Sequence, residues 1–295
     1  MRAGGRNLRR VLLLLCITAT GGYCWSEEGP PDKASGTAGQ QGFSYADYAA
    51  VLKAYVNVEG LVDYKSLKAD RMRLDRFNAS SAKHPRAAYE EWTENEKIAF
   101  WINAYNSLTL QAIIDHYPIE ASFIGSFRFP DDSIRQIPGV WDKLEFKAMG
   151  RPMTLDEIEH ETLRVDFNEP RIHLALVCAS MSCAVLRTEP YTGERLSAQL
   201  DEQTRRFLQR PKNFRIDRDN NRVHLSSLFK WYGKDFVKTY GTDTGYEGHD
   251  RIERAVLNFS SNYLGDSDRS YLRDRRYGIK YLDYDWSLNE QRERR

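Results

Sequence analysis

Residues 93–118 constrain the fold more than any other stretch of this chain. Thr93-Glu-Asn-Glu96 is a capping-box pattern, and Pro118 ends what it starts. Between them Ile98, Phe100, Ile102, Tyr105, Leu108, Leu110, Ile113 and Ile114 spread apolar side chains over most faces of one long helix. A helix that is apolar nearly all round has to be buried, so this one forms the centre and other elements surround it. Asn103 and Asn106 lie one turn apart on it. Both are poor helix formers, and a buried amide needs partners.

The remaining pattern mixes helices and short strands. Phe43 to Tyr55 has helical spacing, Val56 to Tyr64 alternates around Glu59-Gly60 as a short hairpin, and Ser66 to Phe77 reads as a helix. Leu144–Ala148 and Pro152–Thr154 flank Met149-Gly150 as a second hairpin. Thr154-Leu-Asp-Glu157 is another capping box, opening a helix through Ile158 and Leu163 with His160 and Arg164 one turn apart. Arg171 to Cys178 is almost continuously apolar and reads as a strand buried on both faces. An amphipathic helix spans Thr192 to Leu208, and a hairpin follows around Asp217-Arg-Asp-Asn-Asn221. Ser226 or Ser227 caps a helix from Leu228 to Tyr240; Arg251 to Leu264 is another, and Ile279 to Asp283 is a late strand. Without regular alternation, this is a single α+β domain around a buried central helix, not a doubly wound sheet.

The N-terminus reads as an export leader. Arg2, Arg6, Arg9 and Arg10 precede the short apolar run Val11–Ile17 and the small residues that follow it. Residues 1–24 are therefore expected to be a signal peptide, with Cys24 as a lipidation candidate. Residues 25–42, rich in Gly, Ser, Pro and charge, read as a flexible linker. The folded domain is expected over 43–289, with a charged tail at 290–295. A periplasmic or secreted location follows, with no membrane span in the mature chain. The chain has 43 Lys+Arg and 42 Asp+Glu; removing the four leader arginines leaves 39 against 42. No basic patch dominates, so nucleic acid is not an expected partner. The expected partner is an unidentified protein or a small-molecule substrate.

Several segments together resemble the family known as domain of unknown function 547. They are Phe100-Trp-Ile-Asn-Ala-Tyr-Asn106, Thr154-Leu-Asp-Glu-Ile-Glu-His160 with Leu163-Arg164, Ile172-His-Leu-Ala-Leu-Val-Cys178, Ser182-Cys183, and Phe229-Lys-Trp-Tyr232 with Asp235-Phe236. Tyr281-Leu-Asp-Tyr-Asp-Trp-Ser-Leu-Asn289 is similar to the end of many bacterial members. The likeness implies an exported bacterial protein. One departure is Ala184, where the family usually has Pro after the second Cys. The resemblance implies a family label and no reaction.

The chemistry-bearing cluster is Arg171-Ile-His-Leu-Ala-Leu-Val-Cys-Ala-Ser-Met-Ser-Cys-Ala184, which holds both cysteines of the expected mature chain. Three readings stay open. In the first, Cys183 is a nucleophile, His173 or His160 its base, and Asn103, Asp156, Glu159 or Asp235 orients that base. The reaction is then thiol-dependent hydrolysis or acyl transfer, of the cysteine-peptidase or transglutaminase kind. In the second, Cys178 and Cys183 form a structural disulfide in a non-catalytic binding or scaffold domain, which suits an oxidising compartment. In the third, His173, Cys178, Cys183 and His160 bind a metal, although the spacing is not that of structural zinc. No cofactor and no resident metal is expected. His173 in an apolar run also fits a satisfied core histidine. Trp231, Tyr232 and Phe236 read as core aromatics, with a substrate-stacking groove as the alternative. His84, His116, His224 and His249 read as surface residues.

Overall fold

The computed structural model describes residues 42–121 and 125–291. The leader, Cys24, the linker up to residue 41 and tail residues 292–295 lie outside the described residues. The capping box forms as its sequence dictates. Thr93 Oγ1 accepts from Glu96 N at 3.3 Å, and Glu96 Oε2 accepts from Thr93 N at 2.8 Å. It opens the long helix Glu94–His116, buried on nearly every face.

This central helix is the fifth in the chain. α1 (Ala46–Tyr55), α2 (Tyr64–Ala69), α3 (Met72–Lys83) and α4 (Arg86–Glu90) precede it, and α2 and α3 pack against it as α5. The helix expected over 66–77 is two helices, because the chain breaks at Asp70 and Arg71. Val56 bridges Val62 across the turn at Gly60, whose φ of +79° suits a residue without a side chain. The hairpin β1 (Phe146–Ala148) and β2 (Arg151–Met153) packs on α3. The second capping box also forms, with Glu157 Oε2 on Thr154 N and Thr154 Oγ1 on Glu157 N at 2.7 and 3.1 Å. The turn it opens is π-helical over Glu157–Leu163 and runs into α6 (Arg164–Asp166). Such widened turns collect at functional sites.

The strand expected over Arg171–Cys178 is not formed. Glu169 accepts from Arg171 N, and Pro170–Leu174 is a 3-10 turn. From there the backbone is irregular and buried, and its polar groups are met by α5 instead of by a sheet. Asn106 Nδ2 donates to Ala175 O at 3.0 Å, and Asn106 Oδ1 accepts from Val177 N at 2.8 Å. Asn103 does the same for Tyr191, on its N–H and its C=O. A single amide thus serves as the neighbour a β-ladder would have provided.

Beyond this loop, α7 (Leu196–Leu208) packs against α5 and the 3-10 turn. β3 (Phe214–Asp217) pairs antiparallel with β4 (Arg222–Leu225). α8 (Ser227–Tyr240) lies against α9 (Arg251–Ser261), and α10 (Asp266–Asp274), absent from the sequence reading, precedes β5 (Gly278–Tyr281). β5 runs parallel to β4 with Val223 opposite Ile279. Phe207, Phe229, Phe236 and Phe259 fill a second apolar cluster here, beside the larger one around α5. Residues from Phe43 onward make one compact α+β unit. The side chains of His224 and His249, expected at the surface, are only 8% and 5% exposed.

After β5 the chain becomes a strap that crosses the cysteine loop. Ser182 N donates to Asp285 O at 3.2 Å, Met181 N to Ser287 O at 2.9 Å, and Asn289 N to Ala179 O at 3.1 Å. Val62 N then donates to Asn289 O and Gln291 N to Val62 O, both at 2.9 Å. Among the described residues no helix is long and apolar enough to cross a membrane.

Candidate active site

The strap, the π-helical turn, α8 and the cysteine loop enclose a cavity of about 460 Å³. It is lined by Cys178, Cys183, His160, His173, Asp156 and Glu159, and walled by Trp141, Trp231, Tyr232, Tyr284 and Trp286. Four of the five site residues expected from sequence therefore share one space. Asn103 is not among the lining residues, because its amide is spent on Tyr191.

His173 is anchored at one nitrogen and open at the other. Its Nε2 lies 2.8 Å from Asp235 Oδ2. Asp235 is in turn held by Arg164, Nε to Oδ2 at 2.7 Å and Nη2 to Oδ1 at 3.0 Å. Burial works to raise the Asp235 pKa, but the His173 and Arg164 bonds outweigh it and hold the carboxyl far below the usual range. An ionised acceptor at Nε2 places the ring proton there and leaves Nδ1 as a lone pair, a tautomer assigned from the network. That Nδ1 is buried without a hydrogen-bond partner, 3.8 Å from Glu159 Oε1. The ring stacks on Tyr232 at 4.0 Å and 15°. His173 is 1% exposed at its side chain, as a core histidine would be, yet one buried nitrogen is unspent.

His160 plays another part. Its Nδ1 accepts from Arg164 Nη1 at 3.0 Å, and its Nε2 lies 3.7 Å from Asp156. It therefore braces the arginine that braces Asp235. Asp156 titrates high, through its burial despite the opposing pull of His160, with Glu159 and Asp142 adding to the rise.

The two thiols are free and unequal. Cys183 is 3% exposed; its sulfur accepts from Cys178 N at 3.0 Å and lies 3.5 Å from Leu176 O. Cys178 is only partly buried, and its sulfur meets Ser180 Oγ at 3.2 Å and Tyr284 Oη at 3.1 Å. The Cys183 thiol first, then the Ser180 and Tyr284 hydroxyls, favour thiolate at Cys178 against the cost of burial and lower its pKa. Burial, and then the neighbouring Cys178, push Cys183 well up. Tyr284 also titrates far above the ordinary phenol, mainly through burial, so it remains a donor. Ala179 holds the bend between the thiols at φ +54°, a left-handed conformation that costs a non-glycine residue about 1 kcal/mol. Among the described residues no hydrogen bond joins either thiol to an imidazole. No three His, Cys, Asp or Glu side chains there are grouped to hold a metal ion.

The sequence assigns no part to Tyr284, Trp286 or Arg135, and for Trp231 offers a core place or a stacking groove. Trp231 is 45% exposed on the cavity wall. Tyr284 and Trp286 fall within a segment whose resemblance was visible, but nothing in that segment announced that it folds back over the thiols.

Fold and site together define an α+β domain with a thiol–imidazole cavity. Residues 89–208 match the model of the family described as protein of unknown function, DUF547. The matching segment contains His160, His173, Cys178 and Cys183, while Asp235 and Tyr284 lie beyond it. No curated protein and no solved structure matches the chain.

Proposed function

We propose that this is an exported thiol-dependent hydrolase or acyltransferase with Cys178, not Cys183, as its nucleophile. The observation that carries the reading is one cavity holding a thiol of lowered pKa and the unspent Nδ1 of a histidine fixed by a carboxylate. The Cys178 sulfur adds to a substrate carbonyl and gives a tetrahedral intermediate. Its collapse leaves a thioester and expels the leaving group, which takes from His173 Nδ1 the proton that the Cys178 thiol gave up. In the second half, His173 Nδ1 removes a proton from water or an acceptor amine, which attacks the thioester and releases the thiol. Asp235 keeps the ring turned the right way for both transfers, in the manner of the third member of a triad. The substrate lies between ring and sulfur, and catalytic hydrogen bonds often tighten only in the complex.

The test is acylation followed by intact-mass and peptide mapping. 4-Nitrophenyl acetate is mixed with the protein at pH 7, and the +42 Da adduct is located. The expected result is an adduct on Cys178 that His173→Ala releases at least tenfold more slowly than wild type. An adduct on Cys183, or Cys178 unmodified while an ordinary surface nucleophile reacts, overturns the proposal.

A further inference from the structure

We propose that Arg135 is the docking point for an oxyanion carried by the substrate, a carboxylate or a phosphate, and that the substrate's flat apolar body lies along the aromatic wall running from there to Cys178. This rests on the thiol reading above and adds the substrate class.

Among the residues that line the cavity, Arg135 is the only Lys or Arg. Its backbone is fixed in the short turn Ile134–Gln136, where Ser133 Oγ accepts from Arg135 N and both Ser133 and Ile134 are fully buried. Its guanidinium is held by rings. The Cζ lies 4.6 Å from the Phe129 centroid, 5.1 Å from Trp286 and 5.4 Å from Trp141. The three rings crowd the Cζ of this exposed residue, and its N–H groups remain for an acceptor. Among the described residues no carboxylate lies within ion-pairing distance of it, although other arginines near the site, such as Arg164 and Arg171, are paired. A planar fork held in place without an acceptor suits the two parallel bonds of a carboxylate or phosphate.

The wall continues without a break. Trp286 contacts Tyr284 at 4.6 Å and Trp231 at 6.1 Å, the second pair stacked within 24°. Tyr284 then touches the Cys178 sulfur through its hydroxyl. Trp231 leaves nearly half its surface to water, which is costly for so large a ring unless something covers it. The remaining charges fix the direction. Asp142, Asp156 and Glu159 line the cavity as well and repel an anion, so an oxyanion finds only the Arg135 end.

The test uses alkylating probes of one length and three heads. 6-(Iodoacetamido)hexanoic acid, its methyl ester and 6-(iodoacetamido)hexyl phosphate are each reacted with the full chain at pH 7 and low salt, and Cys178 labelling is timed by mass spectrometry. The acid or the phosphate is expected to label about fivefold faster than the ester, and whichever is faster identifies the head group. The advantage should collapse towards one in Arg135→Gln and fall below wild type in Arg135→Lys, which keeps the charge and loses the fork. Equal rates for all three heads, or an advantage that survives in Arg135→Gln, overturn this inference and leave the thiol reading intact. Failure of every probe to label Cys178 overturns both.

Discussion

Replacing Asp235 by Asn tests the carboxylate that holds the site together. Asp235 accepts three bonds from charged or chargeable donors, at 2.7, 2.8 and 3.0 Å, and its side chain is 27% exposed. Hydrogen bonds to a charged group are worth about 1.5–3 kcal/mol each, but Asn keeps one acceptor oxygen and water reaches part of the site, so a net loss of about 3 kcal/mol is expected at pH 7. In urea this lowers the unfolding midpoint by about 1–1.5 M, taking a slope of about 2–3 kcal/mol/M. The sign of the pH dependence follows from the depressed folded-state pKa. Stability from such a group is fully present above the unfolded value, near 3.9, and is lost as pH falls towards the folded value. The gap between wild type and Asp235→Asn should therefore be constant from pH 7 to about 5 and narrow by about 1.4 kcal/mol per unit once below pH 4. Urea unfolding at pH 7, 5, 4 and 3, followed by tryptophan fluorescence, reads it directly. A gap under 1 kcal/mol at pH 7, or one that widens on acidification, refutes the view that Asp235 is an ionised anchor for His173 and Arg164.

The other expectations are simpler. Iodoacetamide should modify Cys178 with a half-maximal rate at lower pH in the folded protein than in the urea-unfolded chain, since folding lowers its pKa; a midpoint that is unchanged or higher in the folded protein counts against the assignment. Tyr284→Phe removes one thiolate donor and should slow this labelling about fivefold at pH 7, the order expected for one such hydrogen bond; an unchanged rate means the hydroxyl does not face the reacting sulfur. Asn106→Leu strands Ala175 O and Val177 N and should cost about 3 kcal/mol in urea unfolding, against near neutrality if that backbone had other partners. Gly60→Ala brings a Cβ to 2.6 Å from Val185 Cβ and 2.9 Å from Leu186 O at a φ of +79°, so a loss of about 2 kcal/mol or more is expected, and a neutral substitution would refute that packing.

What the sequence disclosed followed from local rules. Both capping boxes formed where Thr93 and Thr154 placed them, because those bonds span three residues and need nothing distant. The burial of α5 was legible because an all-round apolar helix has one solution. Arg171–Cys178 was misread for a related reason. A continuous apolar run signals burial and is silent about conformation, and here Pro170 and the Asn106 amide decided for a 3-10 turn and irregular backbone. The candidate site was half legible. His173 and the thiols are close in sequence, so proximity suggested them. Asp235, 62 residues from His173, could be named only as one of several orienting groups, and Asn103, another of them, proved to hold backbone. Tyr284, which meets the Cys178 sulfur, stands more than a hundred residues further along, and no local pattern announces that contact.

The strap has a temporal consequence. A ribosome delivers the thiol loop about a hundred residues before Tyr284 and Asn289, the residues that close the wall beside it and tie it down. Until they arrive, Cys178 lacks the Tyr284 hydroxyl, the wall lacks Trp286, and Ala179 O lacks the Asn289 amide. The cysteine loop thus reaches its final set of contacts only when the last segment of the chain has been made.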